Sequence, residues 1–101
     1  MSRCAEFVTF SVPGDESEYL DRRRAAIAEV KNAHPGLWSV PMLTKNADGR
    51  WTDVWIYETA EAAHAANADS GNLPAFLAMA ELLADVHIEE STLADHAVAP
   101  L

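Results

Sequence analysis

The spacing of apolar residues changes several times along the chain, and each change marks an element. Residues 4–12 (Cys-Ala-Glu-Phe-Val-Thr-Phe-Ser-Val) are rich in β-branched and aromatic types and stop at Pro13-Gly14, which predicts a first strand. From 16 to 33 the period lengthens. Tyr19, Leu20, Ile27, Val30 and Ala33 recur near one side at helical spacing, and Asp15 precedes Glu18 by three positions as an Asp form of capping box. Ala-His-Pro-Gly at 33–36 ends that helix. A second strand follows over 37–45, where Pro41 cannot donate to a ladder and so requires a sheet edge or a bulge. Asn46-Ala47-Asp48-Gly49 reads as a hairpin turn, with Asp-Gly tolerating positive φ. Residues 50–58 alternate cleanly and form the third strand. Thr59 is placed to cap an Ala-rich helix over 60–68, which Asp69-Ser70-Gly71-Asn72 breaks. Pro74 opens a further helix over about 74–84, capped by Asn72 or Leu73, with Phe76, Leu77, Met79, Ala80 and Leu83 as its buried side. A fourth strand covers 86–92, and the tail 94–101 has no period and reads as a loose arm.

The order β-α-β-β-α-β favours an α+β, ferredoxin-like fold: a four-stranded antiparallel sheet of order 4-1-3-2 with the helices on one face, all in a single domain spanning 1–101. Side chains alternate along a strand, so each strand has two faces. The aliphatic sets Val54/Ile56 and Val86/Ile88, with Val8, Phe10 and Val12, are expected beneath the helices. Phe7, Thr9, Ser11, Trp51, Asp53, Trp55, Tyr57, His87, Glu89 and Ser91 are then expected on the helix-free face. Such a face is too aromatic for water and too rich in ionisable groups for an ordinary core. Either a second subunit packing sheet to sheet or a cavity lined by these groups would satisfy it, and a homodimer with its two sheets facing each other would provide both.

Composition narrows the functional classes. Half of the 101 residues are apolar, which suits a modest two-layer core. The first fifty residues hold seven Lys/Arg and seven Asp/Glu, whereas the rest hold nine Asp/Glu and no Lys/Arg, so the second half carries the whole net charge of −9. An acidic surface of this kind repels nucleic acid and anionic lipid, and its simplest meaning is solubility. No apolar run is long enough to span a membrane, and the first residues lack the apolar stretch of a signal peptide. The single Cys4 excludes an internal disulfide and suits a reducing cytoplasm. His34, His64, His87 and His96 show no metal-ligand spacing, so no metal site is expected. The run Arg22-Arg23-Arg24 spreads over about 200° of helix and is expected in solvent, paired with Asp21 or Glu18.

The run Trp-Thr-Asp-Val-Trp-Ile-Tyr-Glu-Thr-Ala-Glu-Ala-Ala-His-Ala-Ala at 51–66, with the Asp-Gly hairpin and the element order, resembles the dimeric α+β barrel superfamily. The likeness is strongest to small proteins of the antibiotic-biosynthesis-monooxygenase type and covers roughly residues 5–92. It implies a homodimer and, in the monooxygenase branch, chemistry without a cofactor: the substrate loses a proton and itself supplies electrons to O₂, while the protein binds, deprotonates and excludes water. Other members are isomerases, haem-degrading enzymes or proteins with no known activity, so the fold alone leaves the reaction open.

Within that frame Asp53, His87 and Glu89 are the candidate catalytic groups. Asp53 and His87 would stand about two strand spacings apart, roughly 10 Å, a span suited to holding a small ligand from two sides. Phe7, Thr9, Trp51, Trp55, Tyr57 and Ser91 would line a site for a small hydrophobic or aromatic ligand. His64 and Asn67, three apart on the Ala-rich helix, complete the candidate set, and His64 is comparable with the haem-ligating His of haem-degrading relatives. Three readings stay open: a cofactor-independent monooxygenase-like enzyme acting on an aromatic or polyketide-type compound, a non-catalytic homodimeric binding or accessory protein, and a haem binder using His64 or His87.

Overall fold

The computed structural model describes residues 2–99; Met1, Pro100 and Leu101, at the outer ends of the expected domain and tail, lie outside the described residues. Strand β1 (Cys4–Ser11) leads to helix α1 (Glu16–Ala33), strands β2 (Leu37–Lys45) and β3 (Trp51–Tyr57), helix α2 (Ala60–Asp69), a 3-10 turn (Ser70–Asn72), helix α3 (Pro74–Ala80) and strand β4 (Ala84–Thr92). The sheet is antiparallel in the order β2-β3-β1-β4, which is the expected ferredoxin-like arrangement.

Most element ends follow from local chemistry. Asp15 Oδ1 accepts from Ser17 N at 2.8 Å and Glu18 N at 3.4 Å, and Thr59 Oγ1 accepts from Ala62 N at 3.0 Å, so both N-caps form, but the Glu18 carboxylate pairs with Arg22 instead of closing the expected box. β2 is an edge strand, and its register with β3 slips between Ser39 and Met42, so Pro41 has both the edge and the bulge it requires. In the hairpin only Gly49 takes positive φ, at 82°, while Asn46 Oδ1 accepts from Asp48 N and Arg50 N.

The second half departs from expectation in two places. α3 stops at Ala80, short of the predicted 84, because Leu82 N and Leu83 N bond to the carbonyls three residues back and tighten the chain into a turn. β4 accordingly starts at Ala84, with Asp85 at φ 53° where the β1–β4 register shifts. No side chain within α3 caps its start. Glu29 of α1 does so from a distance, accepting from Ala75 N at 3.1 Å and Phe76 N at 2.9 Å.

The strand faces bring the main correction. In the β1–β3 register Cys4, Glu6, Val8 and Phe10 pair with Tyr57, Trp55, Asp53 and Trp51. This set, not Val54 and Ile56, faces the helices. Trp51, Trp55 and Tyr57 are buried in one cluster with Tyr19, Ala26 and Val30 of α1, Ala63 and Ala66 of α2, and Met79 of α3. Val54 and Ile56 form a second, smaller cluster with Ala5 on the opposite face. The phase is inverted in β3 alone; β1 and β4 have the predicted faces. The physical reason is volume. α2 presents alanines, so the sheet must supply large side chains to fill the layer. Phe10 stacks on Trp51 at 6.4 Å, and Tyr19 meets both rings edge-on at 5.4 and 5.6 Å.

Gly36, just before β2, is set by the same close packing. A Cβ there would lie 2.8 Å from Ala62 Cβ, while the Gly36 carbonyl accepts from Glu58 N at 2.8 Å. Gly36→Ala is expected to cost ~1–3 kcal/mol through overpacking, read as a lowered denaturation midpoint with unchanged secondary structure.

The described part of the expected loose arm holds one turn, Ala97 N bonding to the Ala94 carbonyl at 3.1 Å, and no strand or helix; the contacts come just before it. Leu93 N bonds to the Arg3 carbonyl at 2.8 Å, and Leu93 packs on the Ala5/Val54/Ile56 cluster. Arg3 lies 4.0 Å over the Trp38 ring beside residues 93–98. Among the described residues no helix is long and apolar enough to cross a membrane.

Candidate functional site

A cavity of about 230 Å³ opens between the sheet and the helices. Its floor is Glu6, Val8 and Phe10 of β1, Asp53, Trp55 and Tyr57 of β3, and Val86 and Ile88 of β4. Tyr19, Asn67, Phe76, Met79, Ala80 and Leu83 close it from the helical side. It exists because the Ala63/Ala66 side of α2 is thin and α3 has only two turns, too few to cover the outer end of β4. Val86 and Ile88, on the helix side of β4, therefore stay 45% and 57% exposed and form an apolar mouth. Trp55 and Phe76 meet edge-on at 6.4 Å as part of an aromatic wall.

Two carboxyl groups reach this apolar space in different states. Asp53 is held by Arg23 through a two-pronged pair, Nε to Oδ2 and Nη2 to Oδ1, both 2.9 Å. The side chains are only 3% and 17% exposed, so Asp53 is a paired structural charge. Arg23 is thereby removed from the expected solvated run. Arg22 pairs with Glu18 and Glu81 and donates to the Ala78 carbonyl, and only Arg24, near Asp21, stands mostly in solvent.

Among the described residues Glu6 has no cation paired with it. It is 4% exposed, and its Oε2 accepts from Asn67 Nδ2 at 2.7 Å. Burial pushes its carboxyl above the usual glutamate range; the Asn67 hydrogen bond opposes this, the Glu90 carboxylate adds to it, and His64 opposes it weakly. The Tyr57 hydroxyl is pushed up by burial and the nearby Glu6 carboxylate, and that of Tyr19 by burial and Asp53. Both phenols therefore stay protonated as hydrogen-bond donors at neutral pH.

The sequence-derived candidates divide into three groups. Trp55, Tyr57, Asn67 and Asp53 line the cavity, with Trp51 packed behind them against Phe10 and Tyr19. Phe7, Thr9, His87, Glu89 and Ser91 lie on the helix-free face, where Thr9 pairs with His87 and Phe7 with Glu89. His64 sits on the outer side of α2, its Nε2 2.7 Å from Glu90 Oε2. Asp53 and His87 are thus on opposite sides of the sheet and cannot grip one ligand within a subunit. Glu6, Tyr19 and Phe76 were not among the candidates. The signal for Glu6 was present, as a lone carboxylate at an inward position of a β-rich strand. Among the described residues no group of three or more His, Cys, Asp or Glu is arranged to hold a metal ion.

Comparison with known proteins places the fold. No family model matches the sequence, and no curated protein matches it. Solved structures do. SnoaB, a cofactor-independent oxygenase from Streptomyces nogalater, superposes with a TM-score of 0.70 at 18% identity, with 100% of each chain covered. A protein from Caulobacter crescentus assigned as an antibiotic biosynthesis monooxygenase gives 0.73 at 20% identity, over 93% of this chain and 92% of its own. A NIPSNAP-family protein of unknown function from Agrobacterium tumefaciens gives 0.66 at 14% identity, over 94% and 91%. The chain has the fold of the antibiotic-biosynthesis-monooxygenase-like proteins, as the resemblance implied.

Proposed function

We propose that this protein is a cofactor-independent monooxygenase-like enzyme acting on a small aromatic or polyketide-type compound in the cavity between sheet and helices. The observation that carries the reading is Glu6: a buried carboxyl bonded to an amide and, among the described residues, to no cation, in an aromatic-walled cavity, in a fold shared with an oxygenase. A flat substrate enters between Val86 and Ile88 and rests along Trp55 and Phe76. Glu6 takes a proton from an activated methylene of the substrate. Tyr57 and Asn67 donate hydrogen bonds toward the enolate oxygen that results. The electron-rich anion reduces O₂, and the hydroperoxide formed on that carbon loses water, so CH₂ and O₂ become C=O and H₂O. The apolar walls and the apolar mouth limit reprotonation of the anion by bulk water.

The test is turnover of anthrone- and hydroquinone-type compounds under O₂, followed as quinone formation and oxygen uptake. Oxygen uptake no faster than in the blank across such a set would remove the enzyme reading. The cavity is smaller than the ~300–1,000 Å³ usual for ligand pockets. That favours a second reading, a non-catalytic homodimeric binder; it gains if an aromatic ligand binds with no oxygen consumed.

In either reading the protein acts as a cytoplasmic homodimer. Phe7 and Met42, 39% and 54% exposed, flank Val54 on the helix-free face, an apolar patch for a second sheet to cover. Light scattering should give twice the chain mass, and Phe7→Glu with Met42→Glu should halve it. A monomeric wild type at micromolar concentration would remove the dimer.

A further inference from the structure

One feature of the site extends beyond the cavity to the solvent. Glu6 on β1 and Glu90 on β4 are directly opposed cross-strand partners on the helix side of the sheet. Opposed positions hold their Cβ atoms about 5 Å apart. Above them α2 carries His64 and Asn67, three residues apart and so on neighbouring faces of one helix. Each reaches one of the carboxylates: Asn67 Nδ2 is 2.7 Å from Glu6 Oε2, and His64 Nε2 is 2.7 Å from Glu90 Oε2. The four side chains make a two-by-two block. Its inner half, Glu6 and Asn67, faces the cavity, while its outer half, Glu90 and His64, is exposed.

We propose that Glu90 and His64 are the solvent-side half of a proton path through which Glu6 exchanges its proton with bulk water. The inference rests on reading the cavity as the reaction site with Glu6 as its base. A base that takes a proton in each cycle must lose it before the next, and the cavity around Glu6 is otherwise apolar. The proton on Glu6 passes to the opposed Glu90 carboxylate, then to Nε2 of His64. The imidazolium releases it to water, and the peroxide anion formed after O₂ adds takes one proton back, so CH₂ and O₂ still become C=O and H₂O with no net proton released and no electrons moving along the path. An imidazole suits the outer end because its ordinary proton affinity lies close to neutral pH. His64 and Glu90 touch no substrate and are positioning residues.

The groups facing Glu6 are few. Cys4 lies two residues before it on the same face of β1, Tyr57 comes from β3, Asn67 and His64 from α2, and Glu90 from β4; the Asp53–Arg23 pair shares the cavity farther along. Cys4 is itself raised by burial and by Glu90, so its thiol holds its proton and does not compete. Among the described residues Glu90 and His64 thus remain as the ionisable side chains that join Glu6 to solvent.

Two measurements test this. The first needs no substrate: carbon NMR titration of the Glu6 side-chain carboxyl in the wild type, Glu90→Gln and His64→Ala. Opposed carboxyls titrate as a coupled pair. The apparent Glu6 value should fall when Glu90 loses its charge and rise when His64 is removed. Superimposable Glu6 curves in all three proteins would overturn the path. The second uses turnover. His64→Ala should lower kcat at least ~10-fold with little change in KM, the low end of a general acid–base contribution, and free imidazole should restore it. A kcat equal to wild type, or a loss that imidazole does not restore, would also overturn it. If no compound is turned over at all, the enzyme reading falls, and the NMR titration still decides whether Glu6 is coupled to the surface pair.

Discussion

Replacing Glu6 by Gln will leave the fold intact, lower kcat by roughly 10²–10⁴, and make the protein more stable at neutral pH. The loss of rate is the usual contribution of a positioned general base. The amide keeps the shape of the carboxyl and still offers Asn67 an acceptor in place of the present 2.7 Å bond, so the cavity walls should not move. The gain in stability follows from proton linkage. Burial holds the Glu6 carboxyl above its ordinary value of 4.5, so the folded protein binds this proton more tightly than the unfolded chain does. That contribution is complete below the unfolded value and is lost as pH rises through the folded one. Wild type and variant should therefore be similar in stability in acid, and the variant should pull ahead as pH climbs toward neutrality. Urea titrations of both proteins across that range read this directly. A variant less stable than wild type at pH 7, or one with undiminished turnover, would show that Glu6 is an ordinary structural carboxylate. A group that costs stability where it performs chemistry is the trade-off expected at an active site.

Replacing Arg23 by Ala will cost ~3–5 kcal/mol, because it leaves the Asp53 carboxylate buried without its cation. The two-pronged contact at 2.9 Å and the near-complete burial of Asp53 mean that little water screens the pair. For a chain of this size the loss should lower the denaturation midpoint by at least ~15 °C. It is also a large share of the ~5–15 kcal/mol that holds a typical domain together. Removing both charges, with Arg23→Met and Asp53→Leu together, should recover most of it, since an apolar pair of similar volume is often as stable as a buried ion pair. A thermal double-mutant cycle separates the pairing from the burial. A loss below about 1 kcal/mol for Arg23→Ala alone would mean that the cavity admits enough water to solvate Asp53. The same experiment bears on function, because Asp53 forms part of the cavity floor beside Tyr19.

The two carboxylates illustrate why a site can be half legible. The residue pattern makes Asp53 a candidate catalytic group with His87 and Glu89, because it is a carboxylate set among aromatic rings. Its partner is thirty positions away on α1, inside a run of three arginines of which only Arg24 stands mostly in solvent. Glu6 drew no notice, because one glutamate near the start of a strand is unremarkable until Asn67, sixty-one residues later, is seen to bond it.

The sequence by itself determined the order and ends of nearly every element, the edge position of β2, the caps of α1 and α2, and hence the sheet topology. These depend on proline, glycine, capping side chains and local periodicity, whose effects act within a few residues. Tertiary structure alone decided which face of β3 turns inward. Both faces of that strand are apolar enough to bury, so alternation could not choose between Val54/Ile56 and the Trp51–Tyr57 set. The choice fell to volume, because the alanines of α2 left a space that only indole and phenol rings could fill. It fell also to Arg23, which made it possible to bury Asp53 with them. With that one phase fixed, Trp55 and Tyr57 moved into the cavity, while His87 and Glu89 stayed on the far side of the sheet.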